Sequence, residues 1–380
     1  MNLKLFLVSS TNILLNNYFY QFLILLFFLK GDFITISDIT FLIAPLLFLK
    51  ESFSSNQRNL LLSDKKKTLF QIYFKQRVFY IFLIAILYIL FLNFFFERVE
   101  KNFFIFLVAI LITILWLNEL ILTNYENNAD KKKLISNSIF LFTIYILFIL
   151  FVIFTNIFLL YLLAPLLLYL LSKIIFYQKI KTLSFLLSFR NKFSLNYKLL
   201  STLSVNLVNL IWRIFFFLFL DKEFSGIIFS IFAFMSFPST LYNNTIGMSL
   251  EIFKSRKINI NAIFAIYYIF ILCLILYIYK QKIIPLNNFE LSSFALMCGI
   301  FSFFGSLIMM FSISKRIKII NYKKTIRNTL FKIDIIYASL NLLSLFCVYF
   351  FFGSSFFYIL FFSSSIISLS YVFYYKKITE

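Results

Sequence analysis

One hydrophobic stretch, Leu199–Leu220, carries polar residues with helical spacing. Four of them follow at steps of four, three and four: Thr202, Asn206, Asn209 and Arg213. These steps place them on one face of a helix. An arginine within a membrane-spanning helix costs about 2.5–3.5 kcal/mol on insertion scales, so Arg213 is expected to face a bundle interior or a water-filled cavity. The pattern predicts a polar functional site inside a membrane; the alternative is a structural arginine bonded to neighbouring carbonyl groups.

The first hydrophobic stretch has a comparable polar face. Its members follow at steps of three, four and four: Ser9, Asn12, Asn16 and Tyr20. Asn16 precedes Asn209 by the same number of residues as Pro45 precedes Pro238. These matches predict a duplicated six-helix unit with related polar faces in its two halves.

Three acidic residues lie inside or near hydrophobic stretches: Asp38, Glu119 and Asp334. At 1.5 Å per residue, Asp38 lies about 8 Å and Arg213 about 10 Å below the outer surface. The sequence therefore predicts that these two residues share one layer of a cavity. The alternative is that Asp38 caps the start of its helix. Glu119 and Asp334 lie near the inner ends of their helices, too deep to pair with Arg213.

Prolines and a second polar helix complete the set of candidate residues. Pro45 and Pro238 interrupt hydrophobic stretches, and we interpret both as kinks that help one bundle move against the other. Another polar face follows at steps of three, four and three: Asp334, Tyr337, Asn341 and Ser344. An interhelical hydrogen-bond seam is the alternative to a functional role for this face.

The composition defines the class of protein. Of 380 residues, 62% are hydrophobic and 13% are charged, which excludes an ordinary soluble domain. There is no histidine, and the three cysteines stand apart, so neither a metal site nor a disulfide framework is predicted. The net charge of +21 is spread over short loops rather than along a nucleic-acid-binding surface. No nucleophile–base pair stands out, and we predict neither an enzyme nor a bound cofactor.

The hydrophobic stretches predict an all-α integral membrane protein with about twelve spans. The predicted spans are 4–29, 33–50, 78–96, 103–122, 135–155, 157–177, 199–220, 224–250, 261–279, 289–313, 329–352 and 354–375. The continuous apolar run 329–375 is divided at Gly353, because it is too long to cross a bilayer once. The first stretch has no small-residue cleavage site, so it is predicted to remain as a span.

The basic residues predict which side each loop faces. With both termini inside, every inner loop carries at least three Lys or Arg residues and no outer loop carries more than two. The segment 178–198 mixes apolar and basic residues and is predicted to lie along the inner interface. It separates two predicted bundles, 1–177 and 199–380.

Three stretches resemble the oligosaccharide flippases of the multidrug/oligosaccharidyl-lipid/polysaccharide exporter superfamily. They are Ser54–Lys67, Trp212–Leu250 and Lys332–Asn341, with the sequences SSNQRNLLLSDKKK, WRIFFFLFLDKEFSGIIFSIFAFMSFPSTLYNNTIGMSL and KIDIIYASLN. The resemblance extends to the six-plus-six layout, although the chain is short for that family. It implies two six-helix bundles around a central cavity that opens alternately to each side.

The resemblance also implies a cargo and a location. The cargo would be an undecaprenyl-pyrophosphate-linked sugar repeat for O-antigen, lipopolysaccharide or other surface polysaccharide, moved to the outer leaflet of a bacterial inner membrane. Arg213 would attract the pyrophosphate or an acidic sugar, and Asn16, Asn206 and Asn209 would bond to hydroxyl groups. The sequence leaves open the sugar, a proton or sodium coupling ion and a partner polymerase.

Two other functions remain open at this point. A multidrug cation antiporter of the same superfamily needs a membrane acid, for which Asp38 and Glu119 are candidates. A membrane polysaccharide polymerase or ligase has a similar number of spans, but it is expected to have a large outer loop with catalytic Arg or His, which this sequence lacks.

Overall fold

The structure is a computed structural model of the chain. It describes residues 8, 11–12, 15–16, 18–54, 61, 67–95, 102–128, 130–154, 197–241, 269, 289–321 and 327–379. Every regular element in these residues is helical. The eleven α-helices described are α1 Phe19–Lys30, α2 Phe33–Ser54, α3 Lys67–Phe95, α4 Asn102–Asn127, α5 Lys131–Phe154, α6 Tyr197–Phe219, α7 Lys222–Leu241, α8 Phe289–Asn321, α9 Arg327–Phe352, α10 Ile359–Ser368 and α11 Ser370–Thr379. A short 3₁₀ helix, Ser354–Phe356, precedes α10.

Within the described residues, six segments are long and apolar enough to cross a membrane. They are Phe33–Ser52, Leu107–Asn127, Leu200–Phe219, Ser292–Arg316, Leu330–Phe352 and Ile359–Lys377. Several apolar helices of this length indicate a multi-pass membrane protein. The predicted spans 157–177 and 261–279 and the predicted linker 178–198 lie almost entirely outside the described residues.

Two glycines with positive φ end helices where the sequence predicts breaks. Gly31 has φ 75° and ends α1, with bonds from Gly31 N to Phe28 O and from Asp32 N to Phe27 O, both 3.0 Å. This pattern closes the last turn of a helix and favours glycine, which adopts positive φ at little cost. Gly353 has φ 83° and separates α9 from the 3₁₀ helix. The apolar run is therefore divided at the glycine, as the sequence predicts.

Aspartates cap the starts of two helices. Asp32 accepts the Thr35 backbone N–H at 3.0 Å, which makes Asp32, and not Asp38, the capping residue of α2. Asp130 accepts the Lys133 backbone N–H at 3.2 Å and pairs with Lys133 Nζ at 3.0 Å before α5. These contacts with Lys133 lower the pKa of the Asp130 carboxyl group below its ordinary value.

The chain forms two compact units, and α2 contributes to both. Unit 1 comprises Met1–Leu26 and Pro45–Asn196, and unit 2 comprises Phe27–Ala44 and Tyr197–Glu380. The division within α2 therefore falls immediately before Pro45. Proline lacks the N–H that would continue the helical bonding. In unit 1, α4 packs against α3 and α5.

In unit 2, helix α8 packs along α7, α10 and α11, and helix α9 packs along α6 and α10. The contact between α8 and α10 is close at Gly305, where a Cβ atom would lie 2.7 Å from Phe361 Cδ1 and 2.9 Å from Ser365 Oγ. Small residues at such contacts allow membrane helices to approach closely. This packing positions α9 and α7, which contact α6.

Candidate functional site

Helix α6 has two accessible faces of opposite character. Leu207 and Leu218 are 40% and 41% exposed, and Asn209 is also exposed. At 3.6 residues per turn, Asn209 lies about 160° from Leu207 and about 180° from Leu218. Asn206 and Arg213 are partly accessible, whereas Thr202 is buried. The apolar exposed face suits lipid, and the polar exposed face suits water or a polar ligand.

Aromatic packing fixes the orientation of α6. Phe216 is buried, with its ring centroid 5.2 Å from that of Phe357 and 5.9 Å from that of Phe229. Phe215 makes an edge contact with Tyr349 at 5.2 Å. Among the described helices, α6 has the most pronounced separation of polar and apolar residues. The aromatic contacts therefore fix how α6 is rotated about its axis. The separation of residue types then gives it one polar and one apolar exposed face.

The first half of α2 contacts the end of α6 and the start of α7. Phe41 stacks on Phe217, with ring centroids 3.9 Å apart. The hydroxyl oxygens of Ser37 and Ser225 lie 2.5 Å apart. Asp38 is buried and forms an ion pair with Lys222 at 3.3 Å. All these residues belong to unit 2.

This register separates Asp38 from Arg213 along the helix axes. Asp38 lies one turn beyond Phe41 towards the start of α2, and Arg213 lies one turn before Phe217. If the two rings mark one layer, the axial offset between Asp38 and Arg213 is about 10 Å at 1.5 Å per residue. The register therefore places Asp38 in the layer of Lys222, whereas the sequence places it in the layer of Arg213.

A buried carboxylate joins four helices of unit 2. Asp334 of α9 accepts two bonds from the Arg316 guanidinium of α8, both at 3.1 Å. Tyr371 of α11 donates to it at 2.5 Å, and Ser201 of α6 donates as well. Asp334 is fully buried, and the Arg316 side chain is 12% exposed. All four residues lie at helix ends that the sequence assigns to the inner side, so their convergence agrees with antiparallel neighbouring helices.

Two of the three other residues of the predicted polar face of α9, Tyr337 and Ser344, contact α10. The hydroxyl oxygens of Tyr337 and Ser364 lie 2.9 Å apart, and Ser363 donates to Ser344 at 3.5 Å. Asn341 is buried and donates within α9, to the Tyr337 carbonyl group at 2.8 Å. This face is therefore an interhelical seam, as one of the two interpretations of the sequence has it.

Unit 1 contains a second buried ion pair. Arg77 of α3 and Glu119 of α4 lie 2.8 Å apart, and Arg77 also donates to the Trp116 carbonyl group at 2.5 Å. The side chains of Arg77 and Glu119 are 0% and 8% exposed. None of the basic partners Arg77, Arg316 and Lys222 was predicted from the sequence to pair with a membrane acid. The signal that could have found two of these partners is a basic residue within three residues of the inner end of a predicted span, as Arg77 and Arg316 are.

Asn12 and Asn16 belong to a network of four buried asparagines in unit 1. Asn137 donates to Asn12 at 2.9 Å, and Asn118 donates to Asn16 at 3.0 Å. The amide groups of Asn12 and Asn16 donate in turn to the carbonyl groups of Leu134 and Leu115, at 2.7 and 2.8 Å. These bonds join the first predicted span to α4 and α5. A contact of Asn12 or Asn16 with cargo stays a prediction, because both side chains are buried in this network.

We expect Asn118→Ala to destabilise unit 1 by about 1 kcal/mol, because Asn16 loses a donor from another helix. Thermal unfolding in detergent measures this change. The matched variant is Asn209→Ala, which removes the same group at an exposed position and should leave the unfolding temperature unchanged. Equal unfolding temperatures for Asn118→Ala and the native protein would contradict a clamping role for the network.

The structure places the other predicted site residues as follows. Tyr20 is buried in α1. Pro45 lies inside α2 and Pro238 lies inside α7. Among the described residues there is no group of three His, Cys, Asp or Glu side chains that could hold a metal ion.

The chain was also compared with known proteins. No protein-family model, no curated protein and no solved structure matches it.

Proposed function

We propose that the protein is a membrane transporter that moves a lipid-linked oligosaccharide with an anionic headgroup between the leaflets of a bilayer. The observation that carries this proposal is the polar exposed face of α6, which lies opposite the apolar exposed face of the same helix. A helix surrounded only by lipid gains nothing from an exposed asparagine beside an arginine. A transporter needs such a face to exchange hydrogen bonds between water and cargo.

Arg213 gives this face its preference for anions. A guanidinium group presents paired N–H donors that match phosphate and carboxylate oxygens. Asn206 and Asn209, at one-turn spacing beside it, offer amide donors and acceptors for sugar hydroxyl groups. An undecaprenyl-pyrophosphate-linked sugar repeat combines both chemistries, and it is the cargo implied by the resemblance of the sequence to oligosaccharide flippases.

The buried acids support an anionic rather than a cationic cargo. Asp38, Glu119 and Asp334 form ion pairs with Lys222, Arg77 and Arg316, respectively. A cation antiporter needs a membrane carboxylate that exchanges its counter-ion, and the two candidates for that role, Asp38 and Glu119, both have basic partners. This observation favours the flippase over the multidrug antiporter.

The proposal includes an architecture and a location. We place twelve spans in two six-helix bundles around a central cavity, in a bacterial inner membrane with both termini cytoplasmic. The asymmetry of Lys and Arg between inner and outer loops supports this topology. Flipping would then proceed from the cytoplasmic to the outer leaflet, upstream of surface polysaccharide assembly.

Deleting the gene and locating the lipid-linked oligosaccharide tests this function. We expect the oligosaccharide to accumulate on the inner leaflet, protected from an enzyme or lectin added outside the membrane, and to become accessible again when the native protein is restored. Normal sidedness combined with increased sensitivity to cationic drugs would contradict the flippase and favour the antiporter.

A further inference from the structure

Helices α8 and α11 meet near the ends of two apolar segments of unit 2. These segments, Ser292–Arg316 and Ile359–Lys377, are long enough to cross a membrane. Lys315 Nζ lies 4.9 Å from the centroid of the Tyr375 ring. Each of these two residues lies within two positions of the end of its segment. The contact therefore lies at a boundary of the hydrophobic layer, where lipid headgroups begin.

Two contacts show which side of α11 continues the accessible surface of α8. In the interior, the Arg316 guanidinium lies 5.7 Å from the centroid of the buried Tyr371 ring. At the edge of the interior, Lys315 lies over the half-buried Tyr375 ring. At 3.6 residues per turn, Tyr375 is about 40° round α11 from Tyr371, and Lys376 is about 100° further in the same sense. Lys376 is exposed, so it follows Tyr375 on the accessible side of the contact.

Each helix has an accessible apolar side chain one turn before its lysine. Phe311 is 49% exposed and lies four residues before Lys315, whose Nζ is 5.3 Å from the Phe311 ring centroid. Val372 is partly accessible and lies four residues before Lys376. At a membrane boundary, a lysine keeps its apolar stem along hydrocarbon and its ammonium group among headgroups. The α8–α11 surface comprises Phe311, Lys315, Val372, Tyr375 and Lys376.

The ammonium group of Lys315 is positioned without being neutralised. Within the described part of the chain, no carboxylate lies within ion-pair distance of Lys315, and its contacts are with the two aromatic rings. Rings attract an ammonium group through their electron-rich faces and leave its charge in place. Lys133 in unit 1 differs, because it lies 5.4 Å from the Tyr125 ring centroid but also pairs with Asp130 at 3.0 Å. The α8–α11 surface therefore offers a fixed positive charge to an anion.

We propose that the α8–α11 surface binds one anionic phospholipid from the leaflet at this end of the helices. The ammonium groups of Lys315 and Lys376 donate to the phosphate oxygens of the headgroup. The acyl chains lie along Phe311 and Val372. Basic pockets between membrane helices at this depth suit such headgroups. This lipid site goes beyond the proposed transport function and does not depend on it, because the ligand is a lipid of the surrounding membrane rather than the cargo.

The lipid site adjoins the buried contacts of Asp334. Lys315 directly precedes Arg316, and Tyr375 lies one turn beyond Tyr371, the two residues of α8 and α11 that bond to Asp334. A lipid that contacts both helices holds their ends together. Because a ligand that binds only the folded protein stabilises it, the bound phospholipid should raise the unfolding temperature.

Thermal unfolding of the full chain in a neutral detergent tests the lipid site. We expect added phosphatidylglycerol to raise the unfolding temperature with a saturable dependence on concentration, and phosphatidylcholine to leave it unchanged. Lys315→Gln and Lys376→Gln should each weaken the apparent affinity for phosphatidylglycerol about fivefold, which corresponds to about 1 kcal/mol for one basic residue. Both lysines are accessible, so the variants should fold. Native mass spectrometry of the same samples counts the bound lipids.

Two matched variants separate this site from a general attraction of basic helix ends to anionic lipid. Lys377 is exposed in the same turn but lies about 100° beyond Lys376, and Lys133 is exposed and paired in unit 1. Lys377→Gln and Lys133→Gln should each change the affinity by less than about twofold. Equal weakening by Lys377→Gln and Lys315→Gln, or equal stabilisation by phosphatidylcholine, would overturn the site. Displacement of phosphatidylglycerol by inorganic pyrophosphate would show a soluble phosphate ligand and overturn the lipid assignment.

Discussion

Arg213→Ala is expected to trap lipid-linked oligosaccharide on the inner leaflet while the protein remains in the membrane at its normal level. A hydrogen bond to a charged group contributes about 1.5–3 kcal/mol, which corresponds to about a 10- to 150-fold change in rate or affinity. The loss should be large because Arg213 is the cation one turn beyond Asn209 on the polar face of α6. The measurement is the fraction of oligosaccharide accessible to an outside enzyme, with protein abundance determined by immunoblot.

Two further substitutions separate charge from shape at this position. Arg213→Lys keeps the charge but loses the planar pair of donors, so we expect intermediate flipping. Arg213→Gln keeps hydrogen bonding without charge and should behave more like Arg213→Ala. Lys133→Ala removes a charge from an exposed side chain and should have no effect on flipping. Normal flipping by Arg213→Ala at normal abundance would exclude the proposed anion site.

Asp334→Ala is expected to produce the largest loss of stability, because it leaves the Arg316 guanidinium buried without its carboxylate partner. Breaking a buried ion pair by removing one member costs about 3–5 kcal/mol. Asp334 also accepts bonds from Tyr371 and Ser201, so the variant releases the ends of four helices. Thermal unfolding in detergent and the amount of protein in membranes both measure this effect.

The matched variants follow from the same contacts. Replacing both members, as in Asp334→Leu with Arg316→Met, should recover much of the lost stability, since no unpaired charge stays buried. Tyr371→Phe removes a single hydrogen bond and should cost about 1 kcal/mol. Lys133→Ala breaks an exposed ion pair, leaves the Asp130 cap of α5 in place and should cost little. Native stability in Asp334→Ala would show that the four-helix contact is not a structural clamp.

If both predictions hold, the charged residues of unit 2 divide into two roles. Arg213 lies on a partly accessible face and would act on cargo, whereas Arg316 is bonded to Asp334 at the ends of the helices. The first substitution should therefore change flipping without changing stability, and the second should change stability first. Sequence alone gives both residues the same signal, a basic residue in or next to a hydrophobic stretch.

The sequence by itself determined the features that depend on local properties of the chain. Hydrophobic length predicts helices long enough to span a membrane, and six of the described segments meet that requirement. Helical periodicity predicts the common face of Asn206, Asn209 and Arg213. Glycine has its own backbone preference, so the helix ends at Gly31 and Gly353 also follow from residue type.

Only the tertiary structure decided which side chains meet. Asp38 contacts Lys222, and Asn12 contacts Asn137, across separations of more than a hundred residues. Such partners depend on how far one helix slides along another, and a shift of one turn moves a side chain by about 5.4 Å. Depth counted from the ends of predicted spans could not fix that register, which is why it aligned Asp38 with Arg213 while the Phe41–Phe217 stack aligns it with Lys222.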